Sequence, residues 1–194
     1  MALEGNDLPS AGSRPELVLR PFNIDDETEA TAAHEELLGD NFFFLLHRGD
    51  DDWSSYLGRL EKLRQGEDVP EGLVPGTFLA AEAEGHLVGR VSVRHHLNPW
   101  LARWGGHIGY GVRPAFRRRG YATEMLRQAL TVAAGLGLER ALIICDIDNV
   151  ASATVIERCG GVLERIEHAE GTDKDKRSEG AEKDKRCYWV DLPS

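Results

Sequence analysis

The chain has 194 residues, 41% of them hydrophobic, with 33 Asp+Glu against 23 Lys+Arg for a formal net charge of -10. That length suits one domain with its own core, and no apolar run approaches the roughly 20 residues that cross a bilayer. The acidic balance excludes broad binding to nucleic acid, which needs a basic surface.

Cys145, Cys159 and Cys187 are odd in number and lack CxxC spacing, so neither a disulfide framework nor a zinc site is expected. MALEGNDLPSAGSRPE has no basic or apolar signal region, so residues 1–14 are expected to be a flexible tail on a cytoplasmic protein. ELVLRPF, residues 16–22, alternates apolar and polar positions and reads as a first strand. A helix follows from Asp26 to Leu38, capped by Asp25 or Asp26 and stopped at Gly39. FFFLL, residues 42–46, is core or pocket wall. Trp53, Tyr56, Leu57, Leu60 and Leu63 mark one face of a second helix, which gives out before GEDVPEGLVPG. TFLAAEAEGHLVGRVSVR reads as a hairpin, with strands at 77–83 and 87–93 around Glu84-Gly85-His86. HHLNPWLARWGG then breaks the pattern before HIGYGVR, a short strand whose two glycines point to a bulge or a close approach.

Met125, Leu126, Ala129, Leu130 and Ala133 give a third helix its buried face between Ala122 and Leu136, and ALIIC at 141–145 is a buried strand. Asp148 or Asn149 opens a fourth helix that runs through Cys159 and is closed by Gly160-Gly161. GVLERIEHAE and RCYWVDL are two further strands, and the charged segment 171–185 between them is expected to be a mobile loop.

The chemistry is concentrated in HIGYGVRPAFRRRGYATEMLRQAL, residues 107–130, where a glycine-containing strand runs into an Arg/Gly turn that starts the third helix. Arginines oppose the positive end of a helix dipole unless an anion lies between them. Gly120 and the small Ala122 let backbone N–H groups face outward, and the helix N-terminus adds its own, so the turn is a cradle for phosphate. Arg117, Arg118 and Arg119 reinforce that field. GxxxxGK[ST] and GxGxxG are both absent here, which removes the support for nucleotide hydrolysis and dinucleotide binding. A pyrophosphate with another attachment remains.

Arg117-Arg118-Arg119-Gly120-Tyr121-Ala122 resembles the [RQ]-x-x-G-x-[GA] turn of the GNAT acetyltransferase superfamily. DIDNVASATVIERCGGVLE, residues 146–164, is similar to that family's next element, in which an Asn and a Ser three residues later open a helix ending before a glycine. The resemblance spans residues 15–192 in element order. It implies one α/β (α+β) domain over residues 15–194, with a mixed, mostly antiparallel central sheet of six to seven strands, a splayed strand pair and about four helices. It also implies acetyl-CoA as co-substrate, held at Gly111, Val112, Arg117, Arg118, Arg119, Gly120, Tyr121 and Ala122, chiefly through backbone N–H groups on the pyrophosphate. Asn149 and Ser152 would contact the pantetheine or phosphate portion, and a plain helix cap stays open for Asn149.

In that reaction the acetyl group passes directly to a primary amine, a backbone N–H near Gly111 or Val112 polarises the thioester carbonyl, and a base takes the amine proton. His107 is the candidate base; a structural, hydrogen-bonded histidine is equally open. Many relatives supply a Tyr acid late in the fourth helix, where this chain has Ile156, so Tyr110 and Cys159 are left as candidate donors. The acceptor wall is expected from the first two helices, residues 42–46 and RHHLNPWLARW, with His95, His96, Asn98, Trp100 and Trp104. Paired histidines without a third ligand imply no metal. The negative net charge favours a cationic amine on a small molecule but selects none in particular. Peptide or protein N-acetylation and a catalytically degenerate acyl-CoA-binding module are the alternatives. The expected partners are acetyl-CoA and an amine, with no nucleic acid and no membrane, and a homodimer stays open.

Overall fold

The structure, a computed structural model, describes residues 16–46, 49, 51–169 and 183–192. The expected tail and most of the charged segment 171–185 lie outside the described residues. In chain order the elements are β1 (Val18–Pro21), α1 (Glu27–Leu38), α2 (Trp53–Gln65), β2 (Gly76–Ala83), β3 (His86–Arg94), β4 (Ile108–Val112), α3 (Tyr121–Gly135), β5 (Arg140–Asp146), α4 (Val150–Arg158), β6 (Val162–Glu167) and β7 (Lys185–Asp191). This is the expected mixed α+β order, with seven strands and four α-helices among the described residues.

Local chemistry explains most of the boundaries. Asp52 accepts from the Ser55 N–H at 2.9 Å to start α2, and Gly66, at φ 77, ends it in the left-handed conformation that glycine adopts without a Cβ penalty. Asn149 caps α4 by accepting from the Ser152 N–H at 2.9 Å. Asp26 takes the N-cap position of α1, as expected, but its side chain makes no cap bond to the helix. Asn23 caps a 3-10 turn over Ile24–Asp26 that feeds into α1. The Asp26 carboxylate is committed to Arg20, with two contacts of 2.7 Å. The segment before β4 folds as one wide π-helical turn, Leu101–Gly105, rather than an irregular loop.

The strands form two antiparallel sheets, in the orders β1-β2-β3-β4 and β5-β7-β6. A bulge at Ala81/Glu82 separates the two ends of the β2–β3 register. One hydrophobic cluster joins Met125, Leu126, Ala129 and Ala133 of α3 to Val91, Val93 and Ile108 of the first sheet and Ile143 of the second. The other joins Ala30, Ala33 and Leu37 of α1, Tyr56 of α2, Phe22 and Phe44 to Ala80 and Leu87 on the opposite face. Full burial of a side chain such as Leu126 contributes about 2 kcal/mol, so these two clusters fix the first sheet between helices on both sides.

Among the described residues, one backbone junction links the two sheets. The His107 N–H donates to the Leu142 carbonyl at 2.7 Å, and the Leu142 N–H donates to His107 Nδ1 at 2.9 Å. β4 and β5 are not paired beyond it, so the strands diverge from a pinned end.

Candidate active site

The Arg/Gly turn lies directly after β4. Pro114–Phe116 forms a 3-10 turn, Arg118 stands at φ 66 and Gly120 at φ 84, and α3 begins at Tyr121 with no side-chain cap. A non-glycine residue at positive φ costs about 1 kcal/mol, so Arg118 holds a strained backbone at this point. The strain has a visible result. The Thr123 and Glu124 N–H groups both reach the Gly120 carbonyl, at 3.1 and 3.2 Å, and the Arg117 N–H reaches Pro114 at 3.3 Å. Among the described residues, the backbone N–H groups of Arg118, Arg119, Gly120, Tyr121 and Ala122 meet no acceptor. Consecutive free amides at a helix start are an anion site in waiting.

The arginine side chains serve the loop itself. Arg117 donates from Nε to the Val112 carbonyl at 3.0 Å and from Nη2 to the Asp40 carboxylate, while Arg119 donates to the Ala115 carbonyl at 3.1 Å. Arg113 ties the end of β4 to α1, with contacts of 2.9 and 2.7 Å to Glu36 and 3.0 Å to the Leu87 carbonyl. Hydrogen bonds from this guanidinium hold the Glu36 carboxyl below its ordinary range. These contacts fix the loop that carries the free amides.

The register of β4 decides which of its amides face the diverging side. The Arg113 N–H bonds the Val88 carbonyl and the Arg94 N–H bonds the His107 carbonyl, so the odd-numbered residues of β4 pair with β3. Of the two amides expected at the thioester carbonyl, that of Val112 is turned away from β3 and that of Gly111 toward it. Gly111 has a different part: a Cβ there would lie 2.5 Å from the Phe42 ring.

Tyr110 reaches across the divergence to α4, with its hydroxyl 2.8 Å from Ser152 Oγ. Burial pushes its phenol well above the ordinary value of 10.0. Asn149 is occupied in capping, and its cap orients the same Ser152. The Cys159 thiol donates to the Thr123 carbonyl at 3.6 Å, and burial pushes its pKa up. Ile156 is fully buried in the core, so its position supplies packing rather than an acid.

His107 is buried, and its Nδ1 accepts from Leu142. Burial, with Arg94 and His96 nearby, lowers its pKa from 6.5 to about 4. This geometry makes it the pin between the two sheets. A pH dependence follows. The unfolded chain binds a proton near pH 6.5 and the folded one only near 4, so stability is full above 6.5 and declines as pH falls toward 4. Thermal melts between pH 7 and 4.5 should show a falling Tm that is shallower in His107→Asn, whose side-chain oxygen can still accept from Leu142. Parallel slopes in the two proteins would assign the decline to groups other than His107.

The opposite face of β3 and β4 carries groups that no sequence motif singles out. Arg90 of β3 stacks between Phe42 and Phe78, with its guanidinium carbon 4.6 and 5.0 Å from the ring centroids. Arg94, on the same face, donates to the Gly105 and Gly106 carbonyls at 3.2 and 3.1 Å. The available signal is a charge inside the otherwise apolar run LVGRVSV. On the 94–104 segment, His95 Nε2 lies 2.9 Å from Thr77 Oγ1, and Asn98 bonds the Gly72 carbonyl at 3.0 Å and the Leu101 N–H at 2.8 Å. Those two side chains hold the segment to its neighbours, while Trp100 is exposed. No group of His, Cys, Asp and Glu that could hold a metal occurs among the described residues. No helix among them is long and apolar enough to cross a membrane.

Comparison with known proteins supports a family assignment. The microcin C7 self-immunity acetyltransferase MccE, in complex with acetyl-CoA and AMP, is similar with a TM-score of 0.61 at 18% identity, covering 91% of this chain and 93% of that one. RimJ of Mycobacterium smegmatis in complex with CoA-disulfide gives 0.64 at 19% identity, covering 90% of this chain and 81% of its own. Spermidine N-acetyltransferase of Vibrio cholerae in complex with CoA and spermine gives 0.61 at 17% identity, with coverage of 91% and 95%. At such identities the likeness is one of fold. No curated protein matches the sequence. The family described as Acetyltransferase (GNAT) domain matches residues 16–162, which is most of the chain and contains the cradle, the pinned strands and α4; the chain belongs to the GNAT acetyltransferase family.

Proposed function

We propose that the chain transfers the acetyl group of acetyl-CoA to an amine, and the observation that carries this reading is the run of unpartnered N–H groups from Arg118 to Ala122 beside the diverging strands. These amides fit a pyrophosphate, because they are fixed donors at the positive end of a helix and need no rearrangement to meet oxygen. The neutral amine adds its lone pair to the thioester carbon. The C–N bond forms, the C–S bond breaks, and sulfur leaves with the electron pair. The amine's surplus proton passes to water.

The residues divide this work. The Val112 N–H donates to the carbonyl oxygen as charge develops on it. The Tyr110–Ser152 hydroxyl pair donates to the departing sulfur, whose ordinary thiol pKa of about 8.5 makes it a workable leaving group once hydrogen-bonded. His107 is a positioning residue that sets where β4 and β5 part.

Ser152→Ala and Tyr110→Phe should each lower kcat about 10-fold or more, with KM for acetyl-CoA little changed, because the lost bond is made to the leaving group. Free-thiol release with a panel of small amines and an amine-terminal peptide reads both constants. An unchanged kcat in both variants would take the hydroxyl pair out of the mechanism, and release with the peptide alone would move the acceptor to proteins.

A further inference from the structure

Arg90 and Arg94 share a buried face of β3, and among the described residues no carboxylate acts on either. Arg90 is 6% exposed. Its Nη2 donates to the Phe43 carbonyl at 2.9 Å, but Nε and Nη1 are buried with no partner among the described residues. An uncompensated buried charge is costly, and each unsatisfied donor adds to that cost. Burial and the neighbouring Arg94 draw the Arg90 guanidinium down to about 10, which still leaves it positive at neutral pH. The site therefore holds positive charge that two aromatic faces, one carbonyl and Tyr56 answer only in part, with no carboxylate among the described residues.

Its surroundings face the reaction. Arg90 lies opposite Gly111 in the β3–β4 register, and Ser92 opposite Gly109, so two glycines leave β4 without side chains beside the arginines. Gly111 directly precedes Val112, whose amide meets the thioester carbonyl in acetyl transfer. Phe42 covers Gly111 closely, and it stacks on Arg90 as well. Phe42 is part-buried and belongs to no helix or strand, and Phe78 covers the guanidinium on another side. The net charge of -10 works the other way, toward cationic acceptors. That field is screened beyond about 8 Å, whereas contact with a buried guanidinium is not.

We propose that Arg90, backed by Arg94, binds a carboxylate of the acceptor, so that the substrate class is an amine that also carries a carboxylate, with Phe42 turning aside to admit it. This rests on the acetyl-transfer reading, which puts the amine beside Val112. A carboxylate satisfies the free donors and supplies the missing counter-charge together.

The test pairs amino acids of increasing chain length with amines of the same length, for example 4-aminobutyrate with butylamine, in the free-thiol assay. The carboxylated member of the best pair should have a kcat/KM at least 10-fold higher, and Arg90→Gln should bring that ratio close to 1. A second readout needs neither turnover nor a variant: in arginine-labelled protein saturated with CoA, the Arg90 Nε–H resonance should move with the amino acid and not with the amine. Equal or reversed ratios with an unmoved resonance overturn the inference. A moved resonance without turnover of any amine upholds carboxylate recognition and overturns acetyl transfer instead.

Discussion

Gly120→Asp should abolish CoA binding at concentrations that saturate the parent, with calorimetry expected to show affinity lowered at least 100-fold. Two effects combine. Gly120 sits at φ 84, where a side chain costs about 1 kcal/mol. The carboxylate then stands among the amides of Arg118 to Ala122, and two unit charges 4 to 5 Å apart near a protein surface repel by roughly 3–4 kcal/mol. About 2.8 kcal/mol is already 100-fold. Gly120→Ala separates the effects, because it carries the backbone cost without the charge and should weaken binding no more than about 10-fold. A Gly120→Asp protein with parental circular dichroism and an affinity within 3-fold of the parent would show that the cradle does not hold phosphate.

Gly106→Ala should cause a large loss of stability, because it adds a methyl group at a positive φ and against backbone. Gly106 stands at φ 66, and a Cβ there would lie 2.6 Å from the Leu142 carbonyl oxygen. That oxygen is backbone and is the one that accepts from the His107 N–H, so relief of the clash means moving β5 away from the pin. Positive-φ strain of about 1 kcal/mol and overpacking of 1–3 kcal/mol give a loss of roughly 2–4 kcal/mol, or about 5–15 °C in Tm for a chain of this size. The variant should also raise KM for acetyl-CoA, since the divergence of β4 from β5 begins there. An unchanged Tm would mean that the junction tolerates a displacement its short backbone contacts deny.

Elements set by local chemistry are legible in the residues themselves. The buried face of α3 repeats at three- and four-residue intervals, and both Asn149 before α4 and the Arg/Gly turn before α3 announce themselves within a few residues. Features that depend on distant partners are not. Asp26 holds the N-cap position of α1 without capping it by its side chain, because that carboxylate is shared between Arg20, packed beside Glu82 of β2, and the Asn23 N–H of the preceding 3-10 turn. His107 reads in sequence as a base on a reaction strand; Gly106 carries it to Leu142, 35 residues onward, where its ring nitrogen becomes a backbone acceptor. Arg90 interrupts an apolar strand, which in sequence reads only as a flaw in the pattern. Its meaning comes from Phe42, Phe78 and Arg94, which the fold brings to the same face.

The central claim is that the free amides between β4 and α3 receive the pyrophosphate of CoA. Amide chemical shifts and hydrogen-exchange rates of residues 112–122, recorded with and without CoA and with pantetheine as the phosphate-free control, test it directly. CoA is expected to shift and protect Arg118 through Ala122, while pantetheine leaves these amides as they were. Protection by CoA elsewhere, with Arg118 to Ala122 unmoved, would contradict it.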